Sequence, residues 1–170
     1  MSHVMLDLET LGNSAGCAIV SIGACRFSQE GIDPAAFYTV VELGSDPLGV
    51  IDPGTVLWWM GQSEEARAVF KSGARVPMRQ ALTDLRAWAK GSTYLWCQGA
   101  NFDAPILEAA FKRMEVSNPW RFYNVRDTRT LYQLAGVEVI RSAGHHNALN
   151  DAVDQSQAAI VALNKLGWPE

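Results

Sequence analysis

Two acidic residues one position apart, Asp7 and Glu9, are the first chemically suggestive feature of the chain. They lie in Met5-Leu6-Asp7-Leu8-Glu9-Thr10, which reads as a strand. Side chains alternate along a strand, so both acids point to the same face, about 7 Å apart. Leu6 and Leu8 make the other face apolar, which suits a central strand better than a solvated edge. Two acids on such a strand cost stability, and a divalent cation is the partner that offsets the cost. Asp103 stands where a strand gives way to a helix opening at Pro105. It reads equally as a helix N-cap and as a site carboxylate, since sites in open α/β sheets form beyond strand ends. His146 and Asp151, five residues apart, would lie about 140° apart around one continuous helix. They converge only if His146 sits in the preceding loop and Asp151 in the first turn or so, with Asn147 as N-cap. Taken singly, a His before a helix is usually structural or exposed, and a first-turn Asp usually complements the helix dipole.

Together these segments supply four carboxylates and one His. Two like charges 4 Å apart repel by about 4 kcal/mol at an effective dielectric of 20, so the cluster needs cations. Two divalent ions held this way can activate a water and stabilise the leaving oxygen of a phosphoryl displacement. A neutral His beside them is suited to take the water's proton.

The elements that must position these groups follow from hydrophobic spacing. Strands are expected at residues 3–9, 17–27, 37–43 and 93–97, with a short one near 120–123. The first three, linked by short connections, suggest an antiparallel meander. Residues 44–54 read as a loop. Helical spacing runs through Val56, Trp59 and Met60, through Ala66, Val69 and Phe70, and from Met78 to Trp88. Further helices are expected from Pro105, over 127–134, and from Asn147 to Gly167. Strands first, then strands alternating with helices, give an α/β domain with a central mixed five-stranded sheet flanked by helices. No repeat or linker divides residues 1–170, so a single domain is expected.

Composition narrows the function classes. Hydrophobic content of 48% argues against disorder, and no apolar run approaches a membrane span. Met1 leads almost directly into the first strand, so no secretory leader is expected, and a cytoplasmic location follows. Three widely spaced cysteines, Cys17, Cys25 and Cys97, suit neither a disulfide framework nor a zinc site. The net charge of −4 argues against coating DNA by bulk charge. Asp7, Glu9, Asp103 and Asp151 account for as many negative charges by themselves, and two divalent ions would neutralise them. Residues 27–66 hold seven acids and no Lys or Arg, while residues 67–90 carry a local charge of +5. The basic run is usually a solvated helix face and is a candidate guide for a nucleic acid strand. Phosphate loops, dinucleotide fingerprints, nucleophile elbows and HExxH pairs are all missing.

Asp7-x-Glu9-Thr10, Asn101-Phe102-Asp103 and His146-x-Ala148-Leu149-x-Asp151-Ala152 resemble, in order, the three motifs of the DEDDh exonucleases, the DnaQ-like group with a ribonuclease H-like fold. The resemblance implies a 3′→5′ exonuclease that uses two Mg²⁺ or Mn²⁺ ions and releases nucleoside 5′-monophosphates from single-stranded DNA or RNA 3′ ends. It implies Asp7, Glu9, Asp103 and Asp151 as metal ligands and His146 as general base. The backbone at Thr10 and Leu11 would hold the terminal nucleotide, beside Asn101 and Phe102. Residues 52–62 and 125–131 resemble the phage exodeoxyribonuclease and exodeoxyribonuclease VIII-like branch. On that resemblance Trp59 and Gln62 become substrate contacts, and the location would be the host cytoplasm for a phage-encoded chain. Trp58 and Trp59 cannot both face inward from one helix, so one packs and the other is placed to stack on a base. Asp127 reads as an N-cap ahead of an auxiliary ligand, and His145 as an exposed neighbour. Family relatives often dimerise, so a homodimer is an expectation. Two rivals use the same fold: a non-catalytic nucleic-acid-binding module, marked by a lost carboxylate or His, and a small-molecule metallophosphatase, marked by a closed pocket.

Overall fold

The computed structural model describes residues 3–142 and 146–168. His145 lies outside them. The chain opens with β1 (His3–Thr10), β2 (Ile19–Ser28), the two-residue β3 (Gly31–Ile32) and β4 (Phe37–Glu42). Helices α1 (Pro53–Met60) and α2 (Glu64–Arg67) follow, then β5 (Val76–Pro77) and α3 (Met78–Trp88). The second half alternates β6 (Tyr94–Cys97), α4 (Asp103–Arg113), β7 (Val125–Asp127), α5 (Thr128–Ala135) and α6 (Ala148–Leu166).

The sheet runs β5-β4-β2-β1-β6-β7, with β3 paired to β2, seven strands in all. β1, β2 and β4 form the expected antiparallel meander, while β6 and β7 join parallel to β1. The two strands beyond the expected five are β3 and β5, each two residues long and too short to leave a hydrophobic period. The last long-range strand lies at Val125–Asp127, not near 120–123. Trp120 is buried, with its indole N–H donating to Ser92 Oγ, whereas Phe122 and Tyr123 are exposed in a 3₁₀ turn. Their aromatic character imitates a strand without any sheet partner.

Both faces of the sheet are covered, which explains the continuous apolar run in β1. Val4, Leu6 and Leu8 pack with Leu82, Leu85, Ile106 and Phe111 from α3 and α4. Met5 faces the other way, into a second cluster with Trp96, Leu131, Ala152 and Ala159, where α5 and α6 lie. Strand alternation therefore aims Asp7 and Glu9, which follow Met5, toward α6. A register shift between Glu9 and Thr10 ends the regular pairing at the site.

Local signals place the helices that carry the remaining groups. Asn147 caps α6, accepting from the amides of Leu149 and Asn150, and Gly167 ends it in the left-handed conformation. Asp127 caps α5 through Thr130 N and also accepts from Ala100 N at 2.8 Å. These bonds hold its carboxyl below the usual range against the desolvation that would raise it. The capping role stands, and Asp127 does not line the site. Cys17, Cys25 and Cys97 are buried free thiols.

Candidate active site

Beyond one end of the sheet lies a cavity of about 440 Å³ whose lining includes Asp7, Glu9, Thr10, Trp59, Phe102, Asp103, His146 and Asp151. Three separated segments thus meet where the sequence motifs require. One carboxylate oxygen from each of Asp7, Glu9 and Asp151 lies within 4.8 Å of the others. Asp103 stands beside them at the start of α4, one residue inside the helix, and Phe102 occupies the cap position. Its carboxylate does not cap α4. It accepts from the Leu8 amide at 3.1 Å, between the two acids of β1. Of the two readings open for Asp103, the fold does not make it the N-cap, and it lines the cavity.

The electrostatics carry the mark of a cation site. Burial, then the nearby Asp103 and Glu9, pushes the Asp7 carboxyl well above its ordinary range. Burial with Asp151 and Asp103 raises Glu9 to about 8. Burial raises Asp103 to about 7, against the lowering effect of the Leu8 amide and the Arg129 charge. All three shifts express desolvated acids with too little positive charge beside them. Oxygen-only donors this close together suit a hard divalent cation, so the residues present fit Mg²⁺ or Mn²⁺.

His146 precedes α6 and has a φ of 63°, the left-handed region that few non-glycine residues adopt. Its amide donates to the Asp151 carboxylate at 3.0 Å, so the five-residue spacing closes as a loop-to-helix turn. Its ring stands edge-on to Trp58 and Trp59, at centroid distances of 5.0 and 6.0 Å. Trp59 is the packed member of the pair: it is 3% exposed and its indole N–H donates to Thr10 O at 2.9 Å. Trp58 is 46% exposed and presents its ring to the cavity. Trp58→Ala should leave stability within about 0.5 kcal/mol of the parent. Trp59→Ala should cost about 3–5 kcal/mol, because it empties a core position and orphans Thr10 O. Urea unfolding of the two variants checks the contrast.

Not every expected contact reaches the cavity. Leu11 is buried, its N–H bonded to Ala18 O and its carbonyl accepting from Asp52 N, so its peptide groups already have partners. Gln62 turns back to donate to Trp58 O, and Asn101 is exposed outside the lining. None of the cations of the basic run lines the cavity. Lys71 pairs with Glu64, Arg79 with Glu115, and Arg75 bonds backbone carbonyls. Four residues that sequence reasoning missed do reach it: Arg129, Arg141, Asp154 and Gln155. Gln155 donates to Asp7 Oδ1 at 2.9 Å, and its position four residues after Asp151 on α6 was the available signal.

Four carboxylates and an adjacent His thus line one cavity at the end of a mixed α/β sheet. The chain belongs to the family described as the 3′-5′ exoribonuclease Rv2179c-like domain, which it matches over residues 2–163, and it is a 3′–5′ exonuclease. Solved structures that share its fold include two nucleases. Exonuclease X in complex with 5′ overhanging duplex DNA superposes with a TM-score of 0.58 at 19% identity, covering 98% of this chain and 94% of that one. The nuclease domain of 3′hExo, a DEDDh family member bound to rAMP, gives a TM-score of 0.59 at 14% identity, covering 96% and 92%. No curated protein sequence matches the chain. Among the described residues no helix is long and apolar enough to cross a membrane.

Proposed function

We propose that the enzyme removes nucleoside 5′-monophosphates from the 3′ end of single-stranded RNA. Asp7, Glu9, Asp103 and Asp151 would hold two divalent cations, and His146 would serve as general base. The observation that carries this reading is the meeting of Asp7, Glu9 and Asp151 oxygens within 4.8 Å, with His146 fixed to Asp151 through its amide. Membership of an exoribonuclease family supports RNA, as does the rAMP bound by the 3′hExo nuclease domain. The cavity wall formed by Trp58 offers an exposed ring on which a terminal base can stack.

The cations, when bound, supply the positive charge that activates the attacking water and steadies the departing oxygen. The remaining work falls to side chains. Gln155 fixes the orientation of Asp7, and the Leu8 amide fixes that of Asp103. The His146 imidazole takes the proton of the attacking water as its oxygen bonds to the terminal phosphorus. The bond from phosphorus to the 3′ oxygen of the preceding nucleotide breaks, and that oxygen leaves as a hydroxyl after taking a proton from solvent water, to which His146 returns the proton it took.

Incubation with 5′-labelled single-stranded RNA and DNA of one sequence, at fixed salt with Mg²⁺ or Mn²⁺, tests the reading. The expected result is a ladder shortened from the 3′ end, faster for RNA, with 5′-monophosphates as products. Products bearing 3′-phosphates, or shortening that persists with a chelator present, would refute it.

A further inference from the structure

Two arginines line the catalytic cavity, and among the described residues neither forms an ion pair with its acids, although the Arg129 charge acts to lower Asp103. Arg129 lies in the first turn of α5 and Arg141 in the segment 137–142 that leads toward α6. Among the described residues neither makes a hydrogen bond or an ion pair, although the cavity contains Asp7, Glu9, Asp103 and Asp151. A guanidinium near clustered carboxylates pairs with them unless its backbone holds it away. Both backbones are held. The Arg129 guanidinium passes over Gly99, with Cζ 3.6 Å from the position a Cβ there would take. Asp127 pins the same turn by binding Thr130 N and Ala100 N together. Next to Arg141, the Ser142 amide and hydroxyl both donate to Asp154, at 2.7 and 2.9 Å. Asp154 therefore acts as the fastener of this segment to α6.

A strand of phosphates entering an acidic cavity needs fixed cations beside the metal site, and the basic run at residues 67–90 lies elsewhere. We propose that Arg129 and Arg141 form a two-point clamp on the phosphates 5′ to the scissile bond, making the enzyme prefer oligonucleotides to dinucleotides. The planar fork of each guanidinium matches two phosphate oxygens. Arg129 reaches the cavity over Gly99, from the start of α5, and Arg141 from the segment before α6, so the two guanidiniums come from different elements and offer two separate points of contact to a strand. The proposal rests on the exonuclease reading above and adds to it where the rest of the strand lies.

The test is steady-state hydrolysis of a dinucleotide and a hexanucleotide with the same 3′ end, across a salt titration at saturating Mg²⁺. Parent, Arg129→Gln and Arg141→Gln enzymes are compared. On the hexanucleotide each variant should lose about tenfold in kcat/KM, chiefly through KM, as removal of one charge-assisted contact implies. The loss on the dinucleotide should be smaller. The slope of log(kcat/KM) against log salt should flatten by about 0.7 for each arginine removed. Arg129→Lys and Arg141→Lys should restore the slope. An unchanged slope, with no loss or with equal loss at both lengths, overturns the clamp. A parent enzyme that shortens neither substrate overturns the exonuclease reading instead.

Discussion

Asp7→Asn is expected to abolish turnover and, at pH 8, to raise the melting temperature of the metal-free protein. Both effects come from one cause. Asp7 sits on a central strand among Glu9, Asp103 and Asp151, and burial pushes its carboxyl well above the ordinary range. Among the described residues no cation forms an ion pair with Asp7, so an ionised group there destabilises the metal-free fold. Asparagine retains an oxygen for the Gln155 amide, which donates to Asp7 Oδ1 at 2.9 Å, and so preserves the local geometry. It removes a charge that, on the proposed reading, would hold a cation, and turnover should then fall by about 10³-fold or more, beyond the loss for a single stabilising donor.

The pH dependence follows the same sign. Asp7, Glu9 and Asp103 have folded-state values raised, to about 8 for Glu9 and about 7 for Asp103. In the unfolded chain these acids ionise near their ordinary values of about 4. The folded state therefore holds more protons between those limits. Their contribution to stability is full below about pH 4 and is lost as pH rises toward 8. Metal-free protein should melt at lower temperature at pH 8 than at pH 5, by about 2–4 °C per kcal/mol. Added Mg²⁺ should stabilise most at pH 8, because cations bind the ionised carboxylates. Thermal scans of parent and Asp7→Asn at both pH values, with and without Mg²⁺, measure all of this. A variant that melts lower than the parent at pH 8 without metal, or that still turns over, contradicts the assignment.

What the sequence discloses about this site depends on whether the deciding contact is local. Asp7 and Glu9 are legible because strand period alone sets their common face. The turn joining His146 to Asp151 is legible because Asn147 is a good cap and fixes where α6 begins. Asp103 is ambiguous from sequence, because what decides it is the Leu8 amide, 95 residues away. The same holds for Gln155, whose partner Asp7 is 148 residues distant. Trp58 and Trp59 share a helix and a residue type, and only the packing of Trp59 against Phe70 and Thr10 tells them apart. The basic run at 67–90 shows the converse failure. Charge density along the chain marks cations that the fold turns away from the cavity, while Arg129 and Arg141 reach it from outside that run.

The close seat of α6 on the sheet depends on one missing side chain, and its addition should have the second largest effect. Gly23 on β2 stands directly opposite Asp7 in the antiparallel register. A Cβ at Gly23 would lie 2.2 Å from the Ala148 carbonyl carbon and the Leu149 nitrogen, and 2.4 Å from Ala148 O. These are backbone atoms of the first turn of α6, so no rotamer change relieves the contact. Reaching ordinary van der Waals separation requires that turn to lift by about 1 Å. The lift carries Asp151 away from Asp7 and Glu9, and His146 with it, since the His146 amide is bonded to Asp151. Displacement of that size costs about 10²-fold in rate where geometry governs the chemistry. Overpacking should add about 1–3 kcal/mol of destabilisation. Gly23→Ala is therefore expected to fold with an intact sheet, melt lower, bind Mg²⁺ more weakly and turn over about 10²-fold more slowly. Gly44→Ala, where a Cβ meets nothing within 4 Å, is the matched control and should stay close to the parent. Circular dichroism, calorimetric Mg²⁺ titration and turnover on labelled RNA separate the effects. Full activity in Gly23→Ala would mean that the start of α6 does not position Asp151 and His146, and that their proximity to the β1 acids is not what drives hydrolysis.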